Sequence, residues 1–563
     1  LSLPVWIPGS YLVREFSKNL QALAARQGQR ALQTAQLDKH RWQVQCAEGK
    51  PLVLTYQVCA YDSSVRTAWL DASRGFFNGT SLCLRVHGQE TQPHTLELAR
   101  TAATATWAAA TGLRPLDADK HGFGLYLAAD YDELVDCPVE LGNFWVGRFK
   151  ACGITHQFVV AGAAPSFDAR RLLADTQKIC ETAIRFWHRE GKAPFKSYVF
   201  MLNAVGDGYG GLEHRNSTAL ICGRRDLPRQ GEARASEGYT TLLGLISHEY
   251  FHTWNVKRLR PAEFARYDYA QENYTELLWF FEGFTSYYDD LLLRRAGLLD
   301  DATYLKLITK TINQVLQTPG RSVQTVAQAS FDAWVKYYRQ DENTPNTTVS
   351  YYTKGSLVAL CLDLALRREG KATLDDVMRA LWKRCAGGPM TEADLRTVLH
   401  DLAGRPFDKE LAHWVHSTVD LPLEELLAAH GVALKADRPQ LAQRLGLRVA
   451  ENHSVQIKTV LRGGAAEKAG MSAGDEWLGV EVQGQGWRIS KLDDVTFYAG
   501  THTTLQALVA RDGRLLRLPL EMPPVQSTGV PAKGRRNAAA PSMAPDTISL
   551  TVTDAAALGR WLT

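Results

Sequence analysis

The sequence predicts a multidomain α+β chain, and three observations carry that reading. The length of 563 residues is enough for several domains. The apolar pattern changes near residue 168 from short β-like runs to a helical stripe. After residue 441, strands and glycine turns return in a stretch that reads as a small module of its own. The expected parts are an N-terminal β-sandwich-like domain over 1–160, an α/β domain over 161–300, an α-helical domain over 301–440, and a terminal module over 441–563.

In chain order, Pro4-Val5-Trp6-Ile7-Pro8-Gly9-Ser10-Tyr11 reads as a strand entering a Pro-Gly turn. Trp42–Cys46, Leu52–Ala60 and Leu82–Val86 are rich in β-branched, aromatic or aliphatic residues and lie between Gly, Asp and Ser clusters, which predicts strands. Leu172, Leu173, Thr176, Ile179, Cys180, Ala183, Ile184 and Trp187 then repeat at helical spacing. Tyr198–Asn203 reads as a strand. The following Gly206-Asp207-Gly208-Tyr209-Gly210-Gly211-Leu212-Glu213-His214 holds too many glycines for a helix and, read alone, favours a plain loop. Tyr274–Leu293 is an apolar helix. Residues 300–430 are largely helical, with a capping-type start at Thr391-Glu392-Ala393-Asp394. Residues 523–546, rich in Pro and Ala, read as a linker or long loop, and Thr547–Val552 as a final strand directed back to the terminal module.

Composition removes several function classes. A net charge of +4 with 22% charged residues gives no basic stripe, so a nucleic-acid partner is not expected. No apolar run is long enough to span a bilayer. The nine cysteines are odd in number, scattered and free of C-x-x-C spacing, which reads as reduced thiols and a cytoplasmic location.

The chemistry concentrates in His248-Glu249-Tyr250-Phe251-His252. This H-E-x-x-H run lies in an apolar helical segment, where residues four apart share a face, so both imidazoles can reach one tetrahedral zinc. Glu249 then stands beside the metal, placed to take a proton from its bound water. Glu282 is a lone carboxylate following Trp279, Phe280 and Phe281, and a buried carboxylate needs a cation, here the metal. Asp289, seven positions on, either holds a ligand histidine by its outer N–H or is a solvated acid near a helix end. Tyr351 and Tyr352, as adjacent tyrosines, would ordinarily be core; near a zinc site a phenol could instead donate to a developing oxyanion.

Two resemblances sharpen these readings. Leu445-Gly446-Leu447 and Gly464–Asp475 are similar to the bacterial PDZ domain, whose known mode is to bind an extended C-terminal peptide by strand addition. More broadly, the H-E-x-x-H run continued by Thr253-Trp254-Asn255-Val256-Lys257-Arg258, together with Gly210-Gly211-Leu212-Glu213-His214, Glu282-Gly283-Phe284-Thr285 and the trailing module, resembles the glycyl aminopeptidases. These are PDZ-bearing gluzincin metallopeptidases related to aminopeptidase N and leukotriene A4 hydrolase.

The resemblance implies a thermolysin-like catalytic domain over 161–300 with one zinc ion per chain. It makes His248, His252 and Glu282 the ligands and Glu249 the general base. Tyr352 becomes the oxyanion donor, with Tyr351 the weaker candidate. Gly210, Gly211 and Leu212 become an edge strand holding the substrate backbone, and Glu213 the acid that binds a free α-ammonium. His214 stands where relatives carry Asn. The spacing departs from the larger aminopeptidases: 29 residues separate His252 from Glu282, Gln271 occupies the usual ligand position, and Glu272 and Glu276 are competitors. The implied activity is release of small N-terminal residues, glycine and alanine, from peptides by attack of a zinc-bound water. The rival readings are a zinc endopeptidase on the same scaffold and a non-catalytic PDZ adaptor.

Overall fold

The structure is a computed structural model describing residues 1–523 and 547–563, so the linker expected at 523–546 lies, but for Pro523, outside the described residues. Packing divides the chain into two units. One comprises Leu1–Leu277, Thr285–Asp300 and Thr373–Arg405; the other comprises Leu278–Phe284, Asp301–Ala372 and Pro406–Thr563.

In the first unit the early chain is β-rich, as its residues predict. Val53–Val58 pairs with Leu20–Gln27, and Val139–Gly142 lies between Arg74–Phe77 and Ala108–Thr111 in a four-stranded sheet. The strand expected at Leu82–Val86 is absent: Gly79–Leu82 is a helical turn, closed by the Ser81 hydroxyl donating to the Asn78 carbonyl, and only Arg85 bridges to Ser2. Ser side chains that bond local carbonyls compete with strand pairing, which the apolar count alone does not register.

A five-stranded sheet follows, formed by β1 (Trp145–Ala151), β2 (Ile154–Ala161), β3 (Ser197–Val205), β4 (Tyr209–Glu213) and β5 (Ser217–Gly223), in the order β1-β2-β3-β5-β4. The glycine-rich stretch is therefore a strand and not a loop. It pairs antiparallel with β5, with Gly211 opposite Leu220 and Glu213 opposite Thr218, and it forms the sheet edge. Helix α1 (Ala169–Trp187) starts where the Asp168 carboxylate accepts from the Arg171 N–H, and it buries the predicted stripe except Leu173, which is half-buried. Helix α2 (Glu237–Phe251) is capped by Ser236 and packs on β4, β5 and α1.

Helix α3 (Leu278–Arg295) begins four residues later than expected. Thr275 Oγ1 accepts from the Leu277 N–H, and Ser330 Oγ accepts from the Trp279 N–H, so side chains satisfy the donors that an earlier helical turn would have bonded.

In the second unit, α4 (Tyr351–Glu369) is almost wholly buried. The terminal module has strands Leu447–Glu451, Val455–Val460, Glu476–Val482, Thr504–Arg511 and Arg514–Glu521 around a core that includes Trp477, Ile457, Val495 and Leu520. The last strand, Thr547–Val552, exists, but its partner is Val432–Asp437 and not the module sheet. Among the described residues no helix is long and apolar enough to cross a membrane.

Candidate metal and peptidase site

Helix α2 carries His248 and Glu249 into buried surroundings, and His252 caps its C-terminal end. The Tyr250 hydroxyl pairs with His156 Nε2 at 2.8 Å, and the Trp254 indole N–H donates to His188 Nε2 at 2.8 Å, so the helix end is pinned from two sides. The chain then turns sharply through Val256, at φ +108°. A β-branched residue in that region costs on the order of 1–3 kcal/mol and marks an imposed conformation. The turn returns the Asn255 carbonyl to His252 Nδ1, at 2.8 Å, and leads into Lys257.

The outer nitrogens fix the inner ones. His248 Nδ1 lies 3.0 Å from Asp289 Oδ2. A carboxylate and a carbonyl only accept, so both rings carry their proton on Nδ1. This leaves the two Nε2 lone pairs facing one another at 3.0 Å, a repulsive arrangement unless a cation lies between them. Two nitrogens on one tetrahedral zinc would be about 3.3 Å apart. The ligand atoms of His248, His252 and Glu282 all lie within 4.8 Å of one another, and Glu282 is 2% exposed. The donor set therefore fits a metal of the kind that takes imidazole and carboxylate, and these three residues could hold one. Asp289 is held against His248 with its side chain largely buried; it is not a solvated acid. Burial pushes its carboxyl up, and the His248 hydrogen bond draws it back.

Glu213, 4% exposed, ends the edge strand β4, and Glu249, 5% exposed, reaches that strand from helix α2. Residues 209, 211 and 213 of β4 share a face. At Gly211 a Cβ would meet Glu249 Oε1 at 2.1 Å, so the absence of a side chain there lets Glu249 approach the strand. Just past Glu213 in the chain, His214 and Arg215 meet the buried Asp136, which gathers Lys257 Nζ at 2.6 Å, His214 Nδ1 at 3.3 Å and the Arg215 N–H at 3.1 Å. Burial alone would raise Asp136, but Lys257, His214 and Arg215 outweigh it and hold the carboxyl well below its usual range. Burial likewise works against the Lys257 cation, and Asp136, Tyr267 and Glu213 hold it above its ordinary value.

Tyr352 belongs to the second unit with Glu282, and the reason they meet was not visible in the sequence. A Cβ on Gly283 would strike the Gly355 backbone at 2.5 Å, so α3 and α4 cross backbone to backbone one residue after Glu282. Burial first, then the Glu282 charge, raises the Tyr352 hydroxyl well above its ordinary value, which keeps it an O–H donor. The sequence reading also missed Asp136 and Gly9. Asp136 belongs to no motif, and Gly9 was read only as part of a turn. A Cβ on Gly9 would fall 2.4 and 2.5 Å from the two Glu213 carboxylate oxygens.

Among solved structures, an aminopeptidase N family protein from Idiomarina loihiensis is 36% identical to the chain, matches 100% of this chain and 95% of its own, and superposes with a TM-score of 0.92. An M1 zinc metallopeptidase from Deinococcus radiodurans bound to a Tyr-Ser-Ala substrate is 15% identical over 75% of this chain and 87% of that one, with a TM-score of 0.46. Legionella pneumophila aminopeptidase A in complex with aspartic acid is 12% identical over 92% of this chain and 53% of that one, with a TM-score of 0.47. No curated protein matches. The family model for the peptidase M61 N-terminal domain matches residues 1–143, and that for M61 glycyl aminopeptidase matches residues 241–358, which spans both histidines, Glu282 and Tyr352. With full-length likeness at that identity and two family models in order along the chain, the chain belongs to the M61 glycyl aminopeptidase family and is a metallopeptidase.

Proposed function

We propose that the chain is a zinc-dependent aminopeptidase that releases small N-terminal residues, glycine and alanine, from peptides. One observation carries the reading: β4 presents Glu213 and Gly211 on one face, two residues or roughly 7 Å apart, with Glu249 against Gly211. A peptide lying along that edge with its first carbonyl at Glu249 has its α-ammonium directed toward Glu213. An acid there discriminates against N-blocked peptides, because the buried carboxylate would be left without its cation. The glycyl aminopeptidase match supports the preference for small residues.

His248, His252 and Glu282 would hold the zinc ion. When bound, it supplies Lewis-acid polarisation and lowers the pKa of water. Glu249 accepts a proton from the attacking water and delivers it to the leaving amine. The Tyr352 O–H donates to the developing oxyanion. Asp289 holds the His248 ring in orientation, and Gly210, Gly211 and Leu212 offer backbone groups to the substrate. In the terminal module, the turn Leu445-Gly446-Leu447 and the strand Leu447–Glu451 fit a PDZ domain, whose ligand would be a peptide C-terminus.

The test is a panel of aminoacyl-arylamides, free and N-acetylated. Glycyl and alanyl substrates are cleaved, their acetylated forms resist, and a chelator removes the activity until zinc is restored. Equal cleavage of acetylated substrates would overturn the exopeptidase assignment.

A further inference from the structure

The Pro8-Gly9-Ser10 turn is a built feature with no role in the reaction described so far. It belongs to the N-terminal β-rich region, and its neighbours Val5, Trp6, Ile7, Ser10 and Tyr11 are all buried to within 1%. The Ser10 N–H donates to the Ile7 carbonyl at 3.0 Å, and Arg14 Nη2 donates to Ser10 Oγ at 2.7 Å. From the other side, the Val5 N–H donates to the Tyr269 carbonyl and the Trp6 indole to the Asp268 carbonyl, at 2.9 and 2.7 Å. A turn held this firmly has little freedom to move aside.

Its apex is Gly9, at φ +93°, and the atoms that a side chain there would meet first are both oxygens of Glu213. The residues after Glu213 are held by the same region: Asp136 takes His214 and the Arg215 N–H, and the Gly112 carbonyl accepts from Asn216 Nδ2 at 2.8 Å. The carboxylate is thus backed on one side by bare backbone and anchored just downstream.

We propose that Gly9 is a positioning residue for substrate selection: the backbone of its turn fixes the Glu213 carboxylate where a primary α-ammonium meets it, and only a residue without a side chain permits that placement. The inference rests on the reading of Glu213 as the ammonium acceptor. It goes beyond that reading by assigning the rear wall of the acceptor, and hence the free-amine requirement, to the N-terminal region.

The experiment uses the full-length, zinc-loaded enzyme with alanyl-arylamide and its N-acetyl form. In Gly9→Ala the KM for the free substrate rises at least tenfold, kcat changes less than threefold, and the preference for free over acetylated substrate collapses. Adding Glu213→Asp withdraws the carboxylate by one methylene, so the double variant recovers KM toward that of Glu213→Asp alone, a coupling that a general folding defect would not produce. Ser10→Ala loosens the turn without a clash and raises KM two- to fivefold at constant kcat. The proposal is overturned if Gly9→Ala keeps KM and the free-over-acetylated ratio within twofold of the parent, or if the double variant is no better than Gly9→Ala. If the Gly9 variants do not fold, an unchanged KM in Ser10→Ala overturns it and the predicted rise supports it. Glu213→Ala is run alongside: no change in its free-over-acetylated ratio sinks the ammonium reading itself, a result distinct from failure of the Gly9 assignment.

Discussion

The surroundings of helix α2 and the terminal module bury side chains for different ends. In the module the core is Trp477, Val455, Ile457, Val480, Val495 and their apolar neighbours, and its buried acid, Asp475, is paired bidentately by Arg511 at 2.7 and 2.8 Å. Around α2 the buried set includes Asp136, Glu213, Glu249, His252 and Lys257. Each buried charge costs several kcal/mol unless geometry compensates it. A fold needs only the module's kind of core. The other kind, with Val256 forced to φ +108°, is what chemistry requires, and it persists because its outer partners are in place.

The largest expected effect tests that division directly. Glu249→Gln retains the shape of the side chain and the metal ligands but removes the base, so kcat falls by about 10²–10⁴ while bound metal, measured by elemental analysis, is unchanged. Full turnover in that variant would return Glu249 to a structural role. The counterpart is Trp477→Ala, which destabilises the module by about 3–5 kcal/mol through lost burial and a residual cavity. Denaturant unfolding followed by module-specific protection reads it, and the activity per folded molecule stays at the parental value. A loss of kcat equal to that of Glu249→Gln would erase the contrast.

The same contrast explains what the sequence disclosed. His248, Glu249 and His252 were legible because helical periodicity is local, and Glu282 because a single acid interrupts an apolar run. Asp136 and His214 are 78 positions apart, and Gly9 faces a strand two hundred residues downstream. No pattern of spacing encodes such meetings. The edge strand at Tyr209–Glu213 was hidden from residue pattern for a different reason, and only the family resemblance implied it: its glycines weaken strand propensity, and Gly211 leaves the space that Glu249 occupies. The final strand was recognised by its β-branched residues, but its partner depends on which sheet has an open edge, and Val432–Asp437 supplied it.

Asp136 sharpens the comparison with pH. Its folded carboxyl is held below the ordinary value near 3.9, so its contribution is fully present above that value and is lost as pH falls toward the folded pKa. Asp136→Asn leaves Lys257, 3% exposed at its side chain, without its carboxylate and costs about 3–5 kcal/mol at neutral pH. The gap between parent and variant should then narrow steadily below about pH 4. Thermal or urea midpoints from pH 7 to 3 measure it, and a gap that stays constant over that range would mean Asp136 is not the titrating partner.

The smallest effect separates the two imidazoles. His252 is oriented by a backbone carbonyl, at Asn255, and His248 by a carboxylate, at Asp289. A carbonyl only orients, whereas a carboxylate also raises the basicity of the ring it holds. Asp289→Asn can still accept from His248 Nδ1 through its amide oxygen, so orientation survives and only the charge is lost. Removing such an outer partner typically weakens metal binding by about 10–100-fold, and retention of an acceptor places this variant at the lower end, near tenfold. Asp289→Ala, which loses both, belongs at the upper end. Competition with a graded series of chelators resolves the two steps. Equal affinities for the two variants would show that charge matters and orientation does not, and a parental affinity in both would remove Asp289 from the metal site.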